Sequence, residues 1–413
     1  MLLDICEAHR KRYGCLIRQR RIELGYTQKE LIEKMEHGLS LRSYIALENG
    51  KVLQDMEIYD RLFALLDLHY NYECNLDSQL ESPLQRLFQT WNAYDDNACM
   101  ACVEELMQML SSYTKYSWEA VIYDSLTILH EILKQDRLLK QKEYDQLMQF
   151  RSLYPEKLQS VFATILYTYQ YTLPHDQMQL RKLLEQFPML AHPDSVKNCI
   201  TYALHQTNLE HNDLPAWKQL QKFRKREEHS GNWTALFDLY HWLCLISARV
   251  HVPAFEHLHM TCEKLLSEHD IRKDRRIIYY FNLSGVYHVN HDYAKEEQYL
   301  KLFLKHHTYQ LLPFLFWYIH NQRLQKKPID ELLSHSYHMQ DCSERLQILW
   351  GFYEMLPHAD AKDAQKYLMK RCLPLMSGLA VEFQTVFLHE LQLLITKTRN
   401  YKDLHTYMEQ LQL

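Results

Sequence analysis

From about residue 80 onward, amphipathic stretches alternate with short polar breaks, and one loose signature returns. A small or acidic residue is followed by an aromatic or apolar one, then by a helix-forming run. The marks fall at Tyr94, Tyr144, Asp176, Leu214, Pro253, Tyr293, Pro328, Ala361 and Tyr401. After the first gap, successive spacings are 32, 38, 39, 40, 35, 33 and 40 residues. A period in the thirties predicts helical hairpins, each able to bury its apolar face only against its neighbours. Such a stack curls into a superhelix with a concave groove, and a groove of that kind binds extended peptides.

Glycine usage points the same way. The chain has 8 Gly and 11 Pro in 413 residues, well under ordinary usage of about 7% and 5%. A turn-rich β protein is therefore not expected. A doubly wound α/β enzyme is not expected either, because its strand-to-helix loops need glycine. Neither G-x-G-x-x-G nor G-x-x-x-x-G-K-[ST] occurs. Leu, Gln, Glu, Lys, Met and Ala dominate and lose little rotamer freedom in a helix, so the expected fold is all-α. A hydrophobic content of 47% over this length supports a sizeable core in two or three domains and excludes disorder as the dominant state.

No window approaches 18 uncharged apolar residues, and the apolar start from Met1 to Cys6 is broken by Asp4 and followed by Glu7, Arg10, Lys11 and Arg12. Neither a secretory signal nor a membrane span is expected. A cytoplasmic location follows, with the ten scattered Cys reduced. There is no G-x-S-x-G elbow and no other nucleophile signature, so an enzyme is not expected. Cys99-x-x-Cys102 stands alone and suits a small apolar helix face. The 24 His include His257-x-His259 and His306-His307 but no H-E-x-x-H, so neither a metal nor another cofactor is expected.

The N-terminus differs in charge from the rest. Residues 1 to 51 carry ten Lys or Arg against seven acids, +3, which leaves −8 on the remainder. A cationic head on an acidic body fits nucleic-acid binding by the head. Leu16, Ile17 and Leu24 mark a first helix from Tyr13, stopped at Gly25. Thr27 and Glu30 form a capping box for a second, whose stripe is Leu31, Ile32 and Met35. Ser40 caps a third that runs to Asn49-Gly50, with Tyr44 and Leu47 inward and Leu41, Arg42, Ser43, Ile45 and Ala46 mostly outward. A fourth follows from about Asp55 through Leu66.

The run Ile17-Arg18-Gln19-Arg20-Arg21-Ile22-Glu23-Leu24-Gly25-Tyr26-Thr27-Gln28-Lys29-Glu30-Leu31, with Leu47-Glu48-Asn49-Gly50-Lys51, resembles the helix-turn-helix domain of phage-repressor (Cro/C1, or XRE) type. The resemblance implies a DNA-binding domain over residues 1 to 72, whose third helix enters the major groove. It implies a phosphate contact for Gln28 and a recognition surface of Ser40, Leu41, Arg42, Ser43 and Ala46, flanked by Arg18 and Lys51. Arg42 would bind guanine O6 and N7 bidentately. Arg21 and Glu48 match an internal ion pair and take a structural role. Glu36-His37-Gly38-Leu39 makes the turn about two residues longer than is common. Ile45 and Ala46 stand where polar base-readers often sit, which implies few direct base contacts and more apolar or shape readout.

The clearest hairpin, Asn282-Leu283-Ser284-Gly285-Val286-Tyr287 followed by Asp292-Tyr293 and Glu296, resembles a tetratricopeptide repeat with Ser for Gly and Glu for Ala. Such repeats over residues 73 to 413 imply a right-handed superhelix. Head and repeats together are similar to the peptide-pheromone regulators of the Rgg, PlcR and PrgX group, the RRNPP regulators. That resemblance implies a homodimer on a palindromic double-stranded operator and a short linear signalling peptide in the repeat groove, which changes the dimer arrangement, as in quorum sensing. Placing the first helix of each pair on the repeat pattern puts Tyr202, Gln206, His241, Asn282, His288, Trp317 and Asn321 near the concave side, offered as peptide-binding residues. Two other readings stay open: a helical-repeat scaffold that docks protein partners, and a DNA-binding regulator without a peptide ligand.

Overall fold

The computed structural model describes residue 5 and residues 7–35, 38–71, 76–113, 116–135, 137–172, 177–250, 253–306, 312–334, 344–378 and 381–411. The expected domain border at residues 72 and 73, the mark at Asp176, the pair Glu36-His37, and Cys6, Cys74, His307 and Cys342 lie outside them. The fold is all-α, with no strand among the described residues. Four helices form the head: α1 (Glu7–Glu23), α2 (Gln28–Lys34), α3 (Leu41–Glu48) and α4 (Met56–Leu66). Then come α5 (Leu76–Asn92), α6 (Asp96–Leu110), α7 (Trp118–Gln135), α8 (Gln141–Gln149), α9 (Glu156–Thr172), α10 (Gln177–Gln186), α11 (Pro188–Ala191), α12 (Val196–Asn208) and α13 (Asp213–Glu227). The series continues with α14 (Trp233–Arg249), α15 (Phe255–Glu268), α16 (Lys273–Val289), α17 (Tyr293–His306) and α18 (Leu312–Leu324). It ends with α19 (Asp330–Ser334), α20 (Glu344–Met355), α21 (Ala361–Tyr367), α22 (Val381–Thr398) and α23 (Lys402–Leu411).

Two compact units emerge, Met1–Ala235 and Leu236–Leu413. The four head helices therefore share a unit with the hairpins that follow them. In the first unit a continuous apolar core runs from Tyr13, Ile17 and Tyr44 through Leu106 and Leu126 to Leu190. In the second, Phe316, Trp350, Phe352, Tyr353 and Phe387 form an aromatic centre, with Phe316 and Phe387 edge to face at 5.5 Å.

The recurrence seen in the sequence corresponds to helix starts. The marks at Tyr94, Tyr144, Leu214, Pro253, Tyr293, Pro328, Ala361 and Tyr401 all lie within three residues of the first residue of α6, α8, α13, α15, α17, α19, α21 and α23. Each of these is preceded by another helix after a short connection, as hairpins require. Turns that would ordinarily use glycine use other residues here: Tyr94, His211, His291, Lys326 and Arg399 all have φ between 50° and 61°. Their left-handed backbone is the reason that so few glycines suffice.

In the head, the helix boundaries follow from local chemistry. Thr27 N–H donates to Glu30 Oε2 at 2.7 Å while Glu30 N–H donates to Thr27 Oγ1 at 3.2 Å, closing the capping box of α2. Ser40 caps α3 through Ser43 N–H at 3.1 Å. Gly25 and Gly50 stand at φ 74° and 86° and end α1 and α3 in matching motifs, with Tyr26 N–H on Arg21 O and Lys51 N–H on Ala46 O. The first helix starts at Glu7, six residues before the Tyr13 start expected from its pattern. Tertiary contacts account for the extension: His9 Nε2 and Arg12 Nη1 bond Asp77 on α5 at 3.1 and 2.8 Å.

Candidate nucleic-acid interface and peptide-facing residues

The third head helix has two distinct faces. Tyr44 and Leu47 are fully buried against the core, which leaves Leu41, Arg42 and Ile45 exposed and Ser43 and Ala46 half-buried. Ser40 is exposed, and its hydroxyl lies 2.9 Å from that of Ser43. Arg18 and Lys51 are exposed as well. Arg42 has no hydrogen-bond partner among the described residues. An exposed guanidinium at the first turn of a capped helix is free to reach a base edge or a phosphate.

Gln28 is placed differently from its expected phosphate contact. It begins α2, half-buried, and donates its amide N–H to Glu48 Oε2 at 2.6 Å. Arg21 Nε donates to Glu48 Oε1 at 2.6 Å and Arg21 Nη2 to Glu48 Oε2 at 3.2 Å. This is the internal pair that the sequence implied, with Gln28 added as a third member. Burial pushes the Glu48 carboxyl up, but the bonds from Arg21 and Gln28 outweigh it and hold it below its ordinary value.

Where the head meets the next hairpins, the Arg20 guanidinium lies 3.5 Å from the centre of the Tyr116 ring, and that of Arg12 lies 4.3 Å from the centre of Trp118. A cleft of about 630 Å3 opens beside this contact, lined by Arg20, Glu23, Tyr116, Tyr123, Lys142 and Asp145 among others. The sequence carried no signal for it, because its walls come from separate helices.

The seven peptide-facing candidates divide between the units. Tyr202 and Gln206 are half-buried on α12 in the first. In the second, Asn282 Nδ2 donates to His241 Nε2 at 3.2 Å, linking α16 to α14. His241 is fully buried, and burial followed by the nearby Arg275 charge holds its pKa down to about 3. Trp317 is also buried and donates its indole N–H to Glu296 Oε1 at 2.7 Å, an oxygen that His288 Nδ1 shares at 3.0 Å. Asn321 is fully buried and donates to Tyr293 O at 2.9 Å. His241, Trp317 and Asn321 therefore lie between helices instead of lining an open face; Asn282 and His288 are half-buried. The cause is that a polar group on a helix pattern satisfies a neighbouring helix as readily as a ligand.

No known protein-family model matches the chain, and comparison with curated proteins yields no match. Among solved structures, the fold is that of a helical protein similar to the apo form of the quorum sensor NprR from B. thuringiensis. The likeness has a TM-score of 0.53 at 15% identity and covers 81% of this chain and 98% of that one. No helix among the described residues is long and apolar enough to cross a membrane.

Proposed function

We propose that this chain is a DNA-binding transcriptional regulator of the RRNPP kind, and not an enzyme, with a head at residues 1–72 and tetratricopeptide-like hairpins over residues 73–413. The head reads a palindromic operator as part of a cytoplasmic homodimer, and the hairpins take up a short signalling peptide. The observation that carries the reading is α3, capped at Ser40, buried on Tyr44 and Leu47, and open to solvent along Leu41, Arg42 and Ile45. Similarity of fold to a quorum sensor supports the peptide part. The contacts of Arg12 and Arg20 with Trp118 and Tyr116 support coupling, since a shift in the first hairpins changes what holds α1.

Selection of operators from random DNA tests the first part. A regulator retains specific excess over random duplex at physiological ionic strength, whereas binding that vanishes with salt for all sequences refutes it. Thermal stabilisation by a library of short hydrophobic peptides tests the second, and no shift with any of them removes the pheromone. One observation favours a second reading, a scaffold whose head is a structural cap: Gln28 is already bonded to Glu48.

A further inference from the structure

In the second unit, three histidines from three helices converge. His288 on α16, His320 on α18 and His389 on α22 each place a ring nitrogen within 4.8 Å of the other two. Their ring centroids are 5.6 to 5.9 Å apart. Two of the rings are held by carboxylates through Nδ1. His320 Nδ1 donates to Glu390 Oε1 at 2.7 Å, and Glu390 is fixed in turn by Arg323 Nε at 2.8 Å. His288 Nδ1 donates to Glu296 Oε1, which also accepts from Trp317. A carboxylate on one ring nitrogen orients the other for a metal ion and raises its basicity.

The unused atoms identify what is wanted. His320 is fully buried, and with Nδ1 on Glu390 its Nε2 has no partner among the described residues. Glu296 is fully buried too, and its Oε2 has no partner among them. An orphaned lone pair in a dry interior costs about 1 to 3 kcal/mol. Among the groups bonded to the cluster, two buried carboxylates, Glu296 and Glu390, face one guanidinium, that of Arg323. The local balance is negative, and a divalent cation corrects it.

We propose that His288, His320 and His389 form a three-histidine site for one divalent transition-metal ion, with Zn2+ favoured, that ties α16, α18 and α22 together. All-imidazole donors suit zinc, copper or nickel and disfavour magnesium or calcium. Tetrahedral zinc, with Zn–N near 2.1 Å, sets its ligand nitrogens about 3.4 Å apart. The triangle therefore contracts by at most about 1.4 Å per pair, within reach of ring rotations at the half-buried His288 and His389. A fourth position is left for water.

The test uses the full chain, stripped of metal by chelator and dialysed. Calorimetric titration with Zn2+ should give one ion per chain at sub-micromolar affinity. Co2+ should give the visible absorption bands of a tetrahedral site, a readout that requires no variant. His389→Ala should weaken Zn2+ binding at least 100-fold, and Glu296→Gln about 10- to 100-fold by loosening His288. His130→Ala, on α7 of the first unit, should change nothing. Circular dichroism and melting of each apo variant separate loss of ligand from loss of fold. Absence of a one-to-one site in the wild-type chain overturns the proposal, as does a folded His389→Ala variant that binds Zn2+ as tightly as the wild type.

Discussion

Arg21 Nε sits 2.6 Å from Glu48 Oε1, with both side chains inside the head and the same carboxylate accepting from Gln28. Removing one member of a buried, hydrogen-bonded pair strands the other, at about 3 to 5 kcal/mol. Glu48→Ala should therefore lower the stability of the first unit by that amount in denaturant melts. Because the Glu48 carboxyl is held below its ordinary value of 4.5, its contribution is complete above that pH and is lost as pH falls through the folded value. The variant's stability should lose that part of its acid dependence. An unchanged melt would show that the pair is dispensable.

Two helical glycines should respond with opposite signs to the same substitution. A Cβ on Gly14 would lie 2.2 Å from the Leu47 carbonyl oxygen, so α1 and α3 approach backbone to backbone there. Gly14→Ala should destabilise the chain by about 1 to 3 kcal/mol or more. At Gly285 no atom lies within 4 Å of an added Cβ. Gly285→Ala should instead stabilise it by about 0.5 to 1 kcal/mol, the helix-interior preference for alanine. Equal effects at the two sites would contradict the close approach.

Arg42 is the exposed charge best placed on α3 to report base recognition. Arg42→Ala should cost about 1 to 3 kcal/mol on the selected operator and relax preference at one base pair per half-site. Competition binding against random duplex is the measurement. Equal weakening on both DNAs would reassign Arg42 to phosphate.

His241 makes the chain sensitive to acid. Its folded pKa of about 3 lies below the ordinary 6.5, so in that interval the unfolded chain binds a proton that the folded chain excludes. Stability should fall on acidification by about 1.4 kcal/mol per pH unit from this residue, and be untouched above pH 6.5. His241→Gln should remove that slope between pH 6 and 4. An identical acid limb in the variant would place the proton elsewhere.

The sequence alone determined the all-α class, the caps at Thr27 and Ser40, the stops at Gly25 and Gly50 and the second-helix starts. Each of these depends on residues within a turn or two of one another, where side chain and backbone chemistry act locally. The Arg21 and Glu48 pair was legible only because a family motif carried it. Tertiary structure decided which polar residues face inward. His241, Trp317 and Asn321 fit a groove on the helix pattern, yet they are buried in inter-helix bonds, because a pattern of 3.6 residues names a face without naming what covers it. Glu296 stood out in sequence as a departure from alanine in the repeat, and in the fold it is the carboxylate that holds His288 and Trp317. His288, His320 and His389 share no spacing at all, since only the packing of α16, α18 and α22 brings residues so far apart in the chain to one point.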